Sequence, residues 1–238
     1  MVQNKEDDMV IVDQAGNIVD DLADLRAYME TVKVEKDPDT MKHVGYVFTA
    51  GHLQGDTLYF ASNYDTSGWK CSIWRFDLKS REIEKILSQE QYDHLSFLSV
   101  TSDGLLLESY KELDKAALVI ERFGDGSVRE HIVPGNVINA STDGTNISFN
   151  FFKDAGLLAN RLGIYHAVSA QSVEIRGIPE NVQINHEDVV WNGSGTQIAF
   201  VTRAKDSAKL TYMVYDLAAD TLTPVSEPEY MKFLFGHM

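Results

Sequence analysis

The sequence predicts an all-β fold built from one repeated four-strand antiparallel unit, on three observations. Four short polar corners recur along the chain: "LQGDTLYFA" from Leu53, "TSDGLLLES" from Thr101, "STDGTNISF" from Ser141 and "NGSGTQIAF" from Asn192. Each leads into an apolar-alternating stretch, a hairpin signal, because glycine reaches the positive φ of tight turns without a Cβ clash. The turn glycines Gly55, Gly104, Gly144 and Gly195 are spaced 49, 40 and 51 residues apart, and a period of that length marks a repeat architecture.

The elements follow in order. "DDMVIVDQAGNIVDDL" reads as two strands around an Ala-Gly-Asn turn, a partial blade over 8–20. In "DDLADLRAYMETVKV", Leu22, Leu25, Tyr28 and Met29 recur at helical spacing, so 20–34 holds a short helix. It either packs on its own sheets or presents itself to a partner. Complete units then span 43–88, 94–134, 136–178 and 185–226. In the first, "VGYVFTA", "TLYFASNY" and "CSIWRFDLKSREIEKIL" supply four strands. The last repeats that plan, and its "VYDLAADTL" corresponds to "RFDLKSREI". "YMKFLFGHM" at 229–238 reads as one more strand. Four antiparallel strands per unit of roughly 40 to 50 residues make the blade of a β-propeller. The expected architecture is a single propeller domain over 1–238, with five blades and a ring closed by both chain termini. An open or truncated array, or a fragment of a larger propeller protein, is the alternative.

The corners resemble the WD-like repeats of TolB-type propellers, found also in the propeller domain of prolyl-oligopeptidase-type peptidases. "VWNGSGTQIAF" fits the family pattern best, with Trp191 in the aromatic slot. "TSDG" and "STDG" keep Asp103-Gly104 and Asp143-Gly144 but lack the family's proline. The resemblance covers about residues 40 to 226 and implies a fold, not an activity. No hydrolase domain follows, and Gly193-Ser194-Gly195 is not a nucleophile elbow, so peptidase activity is not carried over.

Composition narrows the partners. An apolar fraction of 44% can build a core, and 36 acids against 21 Lys and Arg give a net charge of −15. That field repels a phosphate backbone, which argues against nucleic acid. It suits a basic protein or peptide, or a cation, and equally a plain solvated surface. Cys71, the one cysteine, lies in the apolar "WKCSIWRF" and reads as a structural thiol. Neither a signal peptide nor a membrane-length apolar window is present. The expected location is cytoplasmic, or extracytoplasmic if an export signal has been removed.

Two sets of residues carry chemistry. His43, His94 and His186 each precede the first strand of a unit, where a propeller opens its channel mouth. Three converging imidazoles beside Asp93, Glu187 and Asp188 could hold one divalent zinc, manganese or iron ion. Their distances to the turn glycine, 12, 10 and 9 residues, disagree, so they equally read as polar loop residues. The second set is aromatic. Tyr64, Trp69, Tyr110 and Phe152 fall in the loops between second and third strands, on the face expected to carry Asp93 and Glu187. Exposed aromatics beside charges serve recognition, and otherwise pack against a neighbouring blade. The function read from these sets is a non-enzymatic scaffold binding a protein, a peptide or a small ligand. No catalytic residue is assigned and no organic cofactor is implied. The alternative is a metal-dependent lyase or hydrolase for a sugar or lactone, with the three histidines as ligands.

Overall fold

The computed structural model describes residues 2–5, 8–13, 15–41, 46–113, 116–151, 161–205, 207 and 209–235. Side chains are described within these except at 2–5, 8, 9, 40, 41, 49, 50, 110–112, 186, 234 and 235. Strands β1 (Val2–Lys5), β2 (Asp8–Val12) and β3 (Ile18–Asp20) form an antiparallel sheet in that order. The sequence reading contained β2 and β3 and missed β1. Helices α1 (Ala23–Thr31) and α2 (Pro38–Met41) follow.

Next comes a four-stranded meander of β4 (Phe48–Gln54), β5 (Thr57–Ser62), β6 (Ser72–Asp77) and β7 (Ile83–Leu87). After the short α3 (Gln89–Tyr92) the plan repeats as β8 (Leu95–Thr101), β9 (Gly104–Leu113), β10 (Ala116–Phe123) and β11 (Val128–Val133). A third meander has β12 (Asn136–Ala140), β13 (Asn146–Asn150), β14 (Leu162–His166) and β15 (Gln171–Glu174). The last sheet holds β16 (Val182–Ile184) and β17 (Val190–Trp191), both paired with β18 (Gln197–Ala204), then β19 (Leu210–Asp216) and β20 (Thr221–Val225). Four sheets thus repeat one antiparallel meander plan, with β16 and β17 sharing the first position of the last.

The repeat is also visible in the backbone. In each unit a carbonyl of the turn before the second strand accepts an N–H from just beyond the third strand. Asp56 pairs with Leu78 at 2.8 Å, Asp103 with Gly124 at 2.8 Å, Thr145 with Ala167 at 2.9 Å and Thr196 with Leu217 at 3.1 Å. Gly55, Gly144 and Gly195 have φ of 57°, 72° and 66°, as a tight turn requires. Gly104 does not share that reason. A Cβ there would lie 1.9 Å from the Arg122 carbonyl oxygen, so close approach of two strands selects glycine instead.

The chain divides into two compact units, Met1–Phe97 with Ser109–Lys111, and Leu98–Glu108 with Glu112–Met238. In the first, Leu22, Leu25 and Met29 of the α1 region join Leu58, Phe60, Trp74 and Phe76 of the β4–β7 sheet in one core. The helix therefore packs on its own sheet. Arg81 fixes its start, donating to Asp20 at 2.6 Å and Asp24 at 3.0 Å. In the second unit, Leu162 and Ile164 of β14 pack on Trp191, Ile198 and Phe200 of the last sheet. Trp191 Nε1 donates to Asn139 Oδ1 at 3.0 Å across the same two sheets.

Two expectations are corrected. The closing strand expected over 229–238 is not formed in its described part, because Glu227–Phe235 is helix α4. The missed signal is a capping box, Ser226-Glu-Pro-Glu229. Glu229 accepts the Ser226 N–H at 2.9 Å, and the Ser226 hydroxyl accepts the Glu229 N–H at 3.4 Å. Tyr230 and Phe233 then fall on one helical face, against Ala199, Val201 and Val225. Ring closure by both termini so loses its C-terminal strand. The other correction is the first strand of the last unit, which starts at Val182 and is split by a 3-10 turn over His186–Asp188. Asn185 Nδ2 donates to Asp188 Oδ2 at 2.9 Å, a local bond that competes with the ladder.

The two kinds of glycine are expected to separate in urea unfolding. Gly55→Ala faces open space and should cost about 1–2 kcal/mol for its positive φ. Gly104→Ala must displace the neighbouring strand and should cost about 3 kcal/mol or more. Equal costs would contradict this reading of Gly104.

Candidate functional site

The site grows from the 63–70 loop between β5 and β6, "NYDTSGWK". Asn63 anchors its start by accepting the Val47 N–H on Oδ1 at 2.7 Å. Thr66 N–H turns back to the Asn63 carbonyl at 3.2 Å. The segment after α1 then laces the loop from outside. Val34 N–H donates to the Tyr64 carbonyl at 2.8 Å, and Asp37 N–H to the Ser67 carbonyl at 3.0 Å. Between them, Lys36 drives its ammonium into the loop and donates to the carbonyls of Asn63, Thr66 and Gly68, the last two at 2.8 Å. Burial pushes the Lys36 ammonium below the usual lysine range, and the negative forms of Cys71 and Asp65 oppose that shift.

Trp69 stands on this loop with 45% of its surface exposed. Its ring lies 4.9 Å from the His94 ring at an angle of 40°. His94 Nδ1 accepts the Cys71 N–H at 2.9 Å, so the neutral imidazole carries its proton on Nε2. Burial is the main cause that holds His94 below the ordinary histidine value; Lys70 adds to it and Asp93 opposes it. Lys70 and Asp93 form an ion pair beside the rings. Asp93 has φ 66° and ψ −141°, a conformation that costs a non-glycine residue about 1–3 kcal/mol. Beneath them Cys71 is buried, which pushes its thiol up to about 11. That thiol is structural, as its sequence context suggested.

Of the residues singled out in the sequence, Trp69, His94 and Asp93 come together. Tyr64 has the packing role instead, half-buried against the core with its ring 5.0 Å from Tyr46. Tyr110 sits within strand β9 rather than in a loop, because β9 runs on to Leu113. Glu187 is exposed on the 3-10 turn of the second unit. His43 and Phe152 lie outside the described residues, as does the His186 side chain. Among the described residues no group of three His, Cys, Asp or Glu stands close enough to hold a metal ion. No helix among them is long and apolar enough to cross a membrane.

Two residues were missed. Lys36 gave no signal, since a lysine in "VEKDPD" looks solvated. Glu108 had one in "LLLESY", an acid within an apolar strand. It shares a face of β9 with Leu106, which packs on Ile147 and Phe149.

No protein-family model matches the chain, and no curated protein matches it. Solved structures do. A TolB-like protein of Agrobacterium tumefaciens superposes with TM-score 0.53 at 12% identity, over 94% of this chain and 75% of that one. An oligogalacturonate lyase in complex with manganese gives 0.58 at 13% identity, over 76% and 54%. The β-propeller domain of the trilobed protease of Pyrococcus furiosus gives 0.52 at 12% identity, over 76% and 57%. The fold is that of β-propeller blades. The aligned region spans only about half the length of the last two structures, and identities this low carry the fold and no activity.

Burial raises Glu108 to about 7. An acid raised in the folded state binds more protons folded than unfolded, so stability falls as pH rises from the ordinary glutamate range toward 7. Glu108→Gln is expected to raise the thermal midpoint by roughly 2–6 °C at about pH 8 and to leave it nearly unchanged at about pH 5. A variant with the same offset at both pH values would contradict the burial of this carboxyl.

Proposed function

We propose that this chain is a recognition module that binds its ligand on the surface built by Trp69, His94, Lys70 and Asp93. The observation that carries this reading is the large exposed indole, in tilted contact with a half-buried imidazole and mounted on a loop held from within. A rigid aromatic anchor with a charged rim is how interfaces concentrate binding energy. The net charge of −15 favours a protein or peptide of basic character over an acidic one. A small ligand that stacks on the indole is served by the same surface.

A second reading is supported by the fold likeness to the manganese-bound lyase and by the position of His94 just before β8. It makes the chain a metal-dependent lyase or hydrolase for a sugar or lactone. His94 would ligate through Nε2, since Nδ1 is committed to Cys71. The remaining donors would have to include His43 and His186.

Two measurements separate the readings. The first is titration of lysine- and arginine-rich peptides and of oligosaccharides, followed by tryptophan fluorescence. Trp69→Ala is expected to weaken binding about tenfold or more, while Val168→Ser, 81% exposed elsewhere, leaves it unchanged. Undiminished binding by Trp69→Ala would remove this surface from consideration. The second is elemental mass spectrometry before and after a chelator. About one equivalent of manganese, zinc or iron, lost in His94→Ala, would favour the enzyme reading.

A further inference from the structure

We propose that Lys36 is a built-in cation. Its ammonium fills a cage of backbone carbonyls that would take an ammonium or potassium ion if the side chain were cut away. The cage belongs to the loop that carries Trp69, so Lys36 is a positioning residue for that surface. This last step rests on the proposed recognition role; the cage itself does not.

The geometry is that of a cation site. Lys36 is 4% exposed, and among the described residues no carboxylate lies within ion-pair distance of its ammonium. Buried lysines ordinarily need such a partner. Here three N–H donors meet three carbonyl oxygens, those of Asn63, Thr66 and Gly68, a complete count for an ammonium. The Tyr46 ring adds its face 4.9 Å from Nζ. The Thr66 hydroxyl lies 3.2 Å from each of the Asn63, Gly68 and Lys70 carbonyls, so the loop folds its oxygens inward around one point. Converging carbonyl dipoles repel one another unless a cation sits among them. Rings of carbonyls are also how proteins replace the hydration shell of potassium.

The test compares wild type, Lys36→Ala and Lys36→Met in ammonium chloride and in choline chloride at equal ionic strength. Thermal unfolding and acrylamide quenching of tryptophan are read together. Trp74 and Trp191 are buried, so quenching reports on Trp69. In choline, Lys36→Ala is expected to melt roughly 5–10 °C below wild type, with Trp69 more accessible. Ammonium should restore both readouts in Lys36→Ala. It should restore neither in Lys36→Met, whose side chain blocks the cage, and should leave wild type unmoved. Equal ammonium effects on all three proteins, or unchanged quenching in Lys36→Ala, would overturn the proposal. Should Lys36→Ala not fold in either salt, 15N-lysine labelling of wild type decides. One slowly exchanging ammonium signal is expected, and its absence would overturn the proposal. Neither readout involves a ligand, so failure of the recognition reading and failure of the cage are told apart.

Discussion

The inner strands of the four repeated sheets have two faces to bury. Ile147 to Asn150 of β13, Leu162 to Tyr165 of β14 and Ile198 to Thr202 of β18 are buried without a break. Successive strand residues point to opposite faces, so an unbroken buried run means that both sides are covered. Within the second unit the cover is another sheet, joined by Trp191 and Phe200 on one interface and by Val119 and Phe149 on another. Where a helix provides it, the apolar spacing changes from two to three and four. Leu25 and Met29 of α1 do this for the β4–β7 sheet, and Tyr230 and Phe233 of α4 for the last. The stacking of two-faced sheets is what makes the repeat a fold rather than a row of hairpins.

The candidate site is where this apolar logic is interrupted. The 63–70 loop has no ladder to satisfy its carbonyls, and a buried unpaired carbonyl is costly. The chain meets that demand with Val34, Asp37 and the Lys36 ammonium, all from the segment after α1. The helix that covers the sheet thereby also delivers the residue that shapes the loop. Trp69 remains exposed while its ring rests at a tilt against His94, flanked by the Lys70–Asp93 pair.

The repeating units were legible because glycine corners and apolar alternation are local signals. The four meanders and the turn correspondence of Asp77 with Asp216 followed from them, and helix α1 from the helical spacing of Leu22, Leu25 and Met29. The C-terminal helix was misread because "YMKFLF" is apolar enough for either period, and the deciding Ser226–Glu229 capping box lies just before it. Tyr64 shows a different limit. Its loop position was right, but whether an aromatic faces solvent or core depends on Tyr46, which sequence spacing does not place. Trp69, His94 and Asp93 were each named from the sequence, yet their meeting depends on Cys71 N–H reaching His94. Lys36 was illegible, since only the fold surrounds it with carbonyls.

If Lys36 and its neighbours hold the Trp69 loop from within, the loop is as firmly built as the blades beside it. Amide hydrogen exchange of the wild-type protein at neutral pH tests this most directly. The amides of Val34, Asp37, Thr66 and Cys71 are expected to exchange slowly, close to those of Phe60 and Trp74 in β5 and β6. Exchange at the rate of exposed turns such as Gly16 and Gly126 would contradict it, and would mean that the loop forms only when something binds.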